Sequence, residues 1–194
     1  MVFKENTYKV LVVSASEKFN SSLKTLLPEN EYYPVYVVGS VNGARREILE
    51  RSYDLMLINS PLPDDFGLRL AIDSVCNSNV GVLLFVRNDI YDEVFAKVTD
   101  YGVITLPKPT NTHLVTQSLR VLCAAKERVH NIERKMATIE EKMEEIRIEN
   151  HAKWLLIEFL KMSEEEAHRY IEKEALNLRV SKRTISYNII KTFG

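Results

Sequence analysis

Six cations near the end of the chain carry its clearest chemical signal. Arg169, Lys173, Arg179, Lys182, Arg183 and Lys191 stand against two carboxylates, Glu172 and Glu174, giving residues 167–194 a net charge of +4. Positions 1–118 hold 11 Lys and Arg against 14 Asp and Glu, a net of −3. The chain is therefore charge-polarised although its total is only −1. Arg169 and Lys173 are one helical turn apart, as are Arg183 and Tyr187, so the members of each pair share a face. Ser181 can cap a helix that opens with Lys182 and Arg183, adding exposed amides to the same anion site. Such a cluster of ammonium and guanidinium groups suits an anionic partner.

No catalytic constellation competes with that cluster. His113, His130, His151 and His168 lack the i, i+4 spacing of a metal-binding pair, and none adjoins a nucleophile. There is no Walker-type or Gly-x-Gly-x-x-Gly phosphate loop. Cys76 and Cys123 are too few for a disulfide framework or a four-cysteine zinc site and read as reduced thiols. Asp64 and Asp65, just after Pro63, read as solvated turn residues rather than metal ligands. The expectation is a non-enzyme with no cofactor and no metal.

The elements that position these residues fall into two kinds. Gly and Pro punctuate the chain up to Pro109, and from Thr110 to Phe193 both are absent. In the punctuated part, short apolar runs at Lys9–Val13, Tyr33–Val38, Leu55–Ile58, Val82–Val86 and Val103–Leu106 alternate with amphipathic stretches. Those stretches are Glu17–Leu27, Val41–Arg51, Leu68–Ser74, Ile90–Thr99 and one from about Asn111. This alternation predicts an α/β fold, a five-stranded doubly wound, flavodoxin-like parallel sheet with helices on both faces.

Beyond Leu114 the period changes. Val115, Leu122, Val129, Met136 and Met143 recur every seven residues, with Ala125, Ile132, Ile139 and Ile146 at the intervening offset and Asn150 next in line. Charged residues crowd the flanks, so this is read as a coiled-coil seam, a dimer interface through Val129, Ile132, Met136, Ile139, Met143, Ile146 and Asn150. The last forty residues predict a three-helix bundle. Trp154, Leu155, Leu156, Phe159 and Leu160 widen the apolar stripe of the first helix, and Trp154 reads as structural. Ser163 with Glu166 forms a capping box for the second helix, whose inner face is Ala167, Tyr170, Ile171, Ala175 and Leu178. Ile185, Ile189 and Phe193 line the third. The expected divisions are 1–118, 119–150 and 151–194.

The five-stranded part resembles a response-regulator receiver domain. The resemblance rests on the spacing of Asn59, Pro63 and Gly67 after the third strand, on Lys108-Pro109 after the fifth, and on the order of segments. It implies a phosphoacceptor aspartate where Asn59 stands and an acidic pair where Ser14 and Ala15 stand. A carboxamide is no nucleophilic carboxylate, and a site without acidic residues holds no hard cation. Val86 replaces the expected switch hydroxyl and Thr105 the expected aromatic. Lys108 alone remains of the receiver site, so the domain reads as a pseudo-receiver. An upstream protein or a small ligand would then supply its input.

Ala152-Lys153-Trp154-Leu155-Leu156, Leu160 to Arg169, Glu174-Ala175 and Ser181-Lys182-Arg183-Thr184-Ile185 together resemble an ANTAR domain. That family is an RNA-binding helical module of transcription antiterminators that commonly follows a receiver and a coiled coil. The resemblance implies binding of paired hairpins in a leader transcript by a homodimer. Lys153, Arg169, Lys173, Arg179, Lys182, Arg183 and Tyr187 are the expected RNA-binding residues. A DNA-binding helix-turn-helix and a coiled-coil adaptor are the alternatives. The first lacks a glycine turn and base-reading side chains; the acidic first part favours the second. Met1–Asn6 is too polar for a secretory signal core, and Val80–Val86 is far short of the ~20 residues of a spanning helix. A cytoplasmic location without membrane contact is expected.

Overall fold

The computed structural model of the chain describes residues 7–194; the polar Met1–Asn6 stretch lies outside them. Residues up to Val129 and those from His130 onward form two compact units. In the first, β1 (Tyr8–Val13), β2 (Tyr32–Val38), β3 (Leu55–Asn59), β4 (Gly81–Arg87) and β5 (Ile104–Lys108) are strands. Among the described residues they make one parallel sheet in the order β2-β1-β3-β4-β5. Between them run α1 (Glu17–Lys24), α2 (Val41–Glu50), α3 (Leu68–Ser78) and α4 (Tyr91–Val98), and α5 (Thr112–Leu160) follows.

Strand side chains alternate between two cores, as the period of two requires. Leu11, Val13, Met56, Ile58, Leu84 and Val86 pack against Ala44, Leu70, Ala71, Val94 and Val98 of α2, α3 and α4. Val10, Val12, Leu55, Leu57, Leu83 and Phe85 face Leu23 of α1 and Val115, Leu119 and Leu122 of α5. Phe85 takes the ring of Phe19 edge-on, at 4.9 Å between centroids, a geometry worth about 0.5–1.5 kcal/mol beyond area burial. Because β3 and β4 are buried on both faces, their sequences are continuous apolar runs rather than alternating ones.

Strand polarity brings the C-terminal ends of β1, β3 and β5 together, where a doubly wound sheet places its ligand crevice. The turn into α3 needs Gly67, whose φ is +87° and whose added Cβ would lie 3.1 Å from Ile58 Cγ2. Ser16 and Ser40 cap α1 and α2 by accepting from the Phe19 and Gly43 amides.

Two expectations are corrected in this unit. Val115 and Leu122 are not seam residues, because both are buried against the sheet. Asp64 is more than a solvated turn residue: its two carboxylate oxygens accept from the Val41 and Asn42 amides, each at 2.9 Å. It thus caps α2 from the β3–α3 loop, and those amides hold its carboxyl below the usual value.

In the second unit, the C-terminal part of α5 packs with α6 (Glu164–Leu178) and α7 (Lys182–Phe193). Their shared core is Ala152, Leu155, Leu156, Ala167, Ile171, Ala175, Ile185 and Ile189. Three alanines in this set let the helix backbones approach closely. Phe193 stacks on Phe159, 5.7 Å between centroids. The expected capping box is present: Glu166 N–H donates to Ser163 Oγ, and Ser163 N–H donates to Glu166 Oε2 at 2.8 Å.

The helix ends themselves use left-handed residues. Lys161, after α5, has φ 58°, and Arg179, after α6, has φ 54°. The Arg179 and Val180 amides then reach the Leu176 and Ala175 carbonyls, a Schellman arrangement in which glycine is the usual occupant. Tyr170 and Leu178 are exposed, not part of the inner face of α6, and Trp154 points to solvent rather than into the bundle. Among the described residues no helix is long and apolar enough to cross a membrane.

Candidate functional site

Asn59 ends β3 and is buried. Its Nδ2 donates to Ser14 Oγ at 3.1 Å, and its Oδ1 accepts from Lys108 Nζ at 2.7 Å. Lys108 also donates to the Ser60 carbonyl. The sheet therefore brings Ser14, Asn59 and Lys108 together, as the receiver spacing predicts, but every partner of the ammonium here is neutral. Burial lowers the Lys108 pKa, and the Arg87 charge lowers it further. Val86 is wholly buried at the switch position, and Thr105 keeps a buried hydroxyl without a hydrogen-bond partner. Among the described residues no group of three His, Cys, Asp or Glu side chains could hold a metal ion.

On α5 the heptad positions from Val129 onward are uncovered. Val129, Ile132, Met136, Ile139, Met143 and Ile146 are 37–64% exposed, and Asn150 and Trp154 continue the same face. Met143, Ile146, Asn150 and Trp154 line a shallow groove there. These large apolar side chains thus lie along one helix face and are open to water.

The predicted RNA-binding residues are not all equally placed. Lys173 and Arg179 are exposed, and neither forms an ion pair with a described residue. Arg183 lies over the half-exposed Tyr187 ring at 5.8 Å, joining a cation to an aromatic face. Arg169 is exposed but paired with Glu165 one turn away. Lys182 reaches Glu172 at 2.5 Å, which raises the lysine pKa and lowers that of the glutamate. Lys153 is the most enclosed, its side chain only 15% exposed and paired with Glu164 at 3.3 Å. Lys153 thus joins the end of α5 to the start of α6, whereas the Tyr187 ring on α7, with the partly exposed Arg183 over it, is open to solvent.

Sequence reasoning missed one polar cluster. His168 lies 3.2 Å from Glu149 and 3.4 Å from Glu172, the glutamate that also takes Lys182. These four residues link α5, α6 and α7, and only the i, i+4 spacing of His168 and Glu172 was there to suggest it.

Residues 137–190 match the ANTAR domain family. Among solved structures, the signal receiver domain of an HD domain-containing protein from Pseudomonas fluorescens Pf-5 is similar at 19% identity and a TM-score of 0.57. It covers 68% of this chain and 96% of its own. A two-component response regulator from Clostridium difficile matches at 17% identity and TM-score 0.53, over 61% of this chain and 97% of that one. The non-phosphorylated HemR receiver domain from Leptospira biflexa matches at 21% and 0.52, over 60% and 94%. These likenesses establish a receiver-like fold. No curated protein matches the chain. The chain thus carries an ANTAR domain over residues 137–190 and, before it, a unit of receiver-like fold, an arrangement that supports RNA binding in transcription antitermination as its general function.

Proposed function

We propose that this protein is a cytoplasmic antitermination regulator that binds paired hairpins in a leader RNA as a homodimer. In this reading residues 1–118 are a pseudo-receiver, 119–150 a coiled-coil linker and 151–194 the RNA-binding bundle. One observation carries it: within a matched ANTAR domain, Lys173 and Arg179 are exposed, the partly exposed Arg183 lies over the exposed Tyr187 ring, and none of these cations has a carboxylate partner among the described residues. Such groups can meet phosphates and stack on unpaired bases without first giving up a counter-ion. Arg169 and Lys182 exchange glutamate for phosphate on binding, and Lys153 contributes chiefly by holding the α6 terminus in place.

The exposed apolar seam supports the dimer. Two copies joined through Val129 to Ile146 carry two basic bundles, each taking one hairpin. Linked contacts raise affinity by about 10²–10⁴ over one contact when the spacing is satisfied. Occupied hairpins then prevent the competing terminator hairpin from forming. The register-setting role belongs to Asn150, a polar residue at a seam position.

Mobility shifts with two-hairpin RNA, single-hairpin RNA and duplex DNA at low salt test the reading. The two-hairpin RNA is expected to bind tightest, with affinity falling steeply as salt rises. Equal binding of all three would overturn it. Acetyl phosphate with Mg²⁺ is expected to leave no acid-labile label, since Asn59 has no carboxylate to accept a phosphoryl group.

A further inference from the structure

A cleft of about 520 Å³ opens between α1 and the start of α5, beside the former acceptor position. Phe19, Leu26, Phe85 and Val115 supply its apolar wall; Asn59 and Lys108 are polar groups on it, with Lys18 and several hydroxyls also on the lining. Its size falls within the range of small-molecule sites, and it has their usual composition, mostly apolar with a few convergent polar atoms. We propose that this cleft binds a small organic anion, a carboxylate on a compact aromatic or branched aliphatic body, with Lys108 as its counter-ion.

Charge favours an anion in this cleft. A receiver balances its lysine against carboxylates; here the three positions that would carry them are Ser14, Ala15 and Asn59. Lys108 Nζ meets only the Asn59 carboxamide and the Ser60 carbonyl, and no carboxylate lies within ion-pair distance among the described residues. A partly buried ammonium paired only with neutral groups carries a desolvation cost that an anion offsets. Two further features favour negative charge. Thr110, on the cleft wall, has a shielded hydroxyl without a partner. Thr112, also on the wall, is the first residue of α5, whose N-terminus is the positive end of the helix dipole. The Phe19–Phe85 pair supplies apolar surface for the body of the ligand, which inorganic phosphate would leave unused.

The inference rests on the reading of this domain as non-phosphorylating and names what replaces the phosphoryl group. Titration calorimetry on the full chain tests it with four probes: 3-phenylpropionate, its neutral amide, 4-methylpentanoate and inorganic phosphate. At least one of the two carboxylates is expected to bind with Kd below about 1 mM. The amide should bind at least tenfold more weakly than 3-phenylpropionate. Lys108→Met is expected to weaken carboxylate binding at least tenfold. Ser22→Trp, at the exposed rim of the cleft, fills it and should abolish binding while leaving the far-ultraviolet spectrum unchanged. No heat from either carboxylate, equal binding of acid and amide, phosphate binding as tight as the carboxylates, or unchanged binding in Ser22→Trp would each overturn the proposal. Acetyl phosphate labelling runs in parallel. A stoichiometric label defeats the underlying reading, whereas no label together with no carboxylate binding defeats the anion site alone.

Discussion

The same seven-residue repeat meets two different environments along α5. Val115, Leu119 and Leu122 are at most 5% exposed and close one core of the sheet, whereas Val129 to Ile146 present equally apolar side chains to water. Each fully buried side chain of this size contributes about 1.5–3 kcal/mol. The first stretch gains that stabilisation within the chain; the second does not. A heptad therefore specifies a face, and what lies opposite decides whether that face is core or interface.

The largest effect should come from forcing the two stretches apart. Met136→Lys or Ile139→Lys is expected to convert a dimer to a monomer in light scattering at micromolar concentration. The preference for two-hairpin over single-hairpin RNA should then fall by about 10²-fold or more. Leu119→Ala should do the opposite, costing about 2–5 kcal/mol of first-unit stability in denaturant melts while leaving the oligomeric state alone. If the lysine variants stay dimeric, the division of α5 into core and interface is wrong.

The cations of the second unit sharpen the comparison at the level of single side chains. Arg183→Ala or Lys173→Ala is expected to weaken RNA binding by about three- to tenfold and to lower its salt slope, with melting unchanged. Lys153→Met should lower the melting temperature of the bundle instead, because its side chain is enclosed against Glu164. Affinity measured by fluorescence anisotropy and melting by circular dichroism separate the two roles.

Smaller effects belong to the helix termini. Ser163→Ala is expected to cost about 1 kcal/mol in denaturant melts of the bundle. Glu166, held below its ordinary value of 4.5 by the Ser163 amide, binds fewer protons folded than unfolded. Its contribution is thus complete above the unfolded value and lost as pH falls through the folded one. The melting temperature of the bundle should accordingly drop below about pH 4, and less steeply in Ser163→Ala. Lys161→Gly relieves a left-handed lysine and should stabilise by about 0.5–1 kcal/mol.

The fold was legible because β-branched runs, amphipathic stretches and the Gly and Pro punctuation agree with one another along residues 1–109. Ser163 and Glu166 announced the start of α6 for the same reason: a capping box is local. The preceding helix stops were not legible. Nothing in Lys161 or Arg179 marks a residue that tolerates positive φ, since glycine is the usual signal.

What depended on distant partners was also hidden. Asp64 looks like a turn residue until the fold sets it against amides 22 and 23 positions earlier. Leu178 and Tyr170 fit the period of the inner face of α6, yet the bundle closes over Ala167, Ile171 and Ala175 alone. In the site, residue types put a carboxamide, Asn59, where the receiver resemblance implies an aspartate, and made residues 167–194 basic. They did not show which cations would be spent on glutamates, because Lys182–Glu172 and Lys153–Glu164 are contacts between helices.

Sequencing the RNA crosslinked to this protein in its native cell tests the central claim most directly. The account predicts reads concentrated in leader regions that can form two adjacent hairpins upstream of a terminator, and their loss in Ile139→Lys. Reads scattered in proportion to transcript abundance, or an unchanged pattern in that variant, would contradict it.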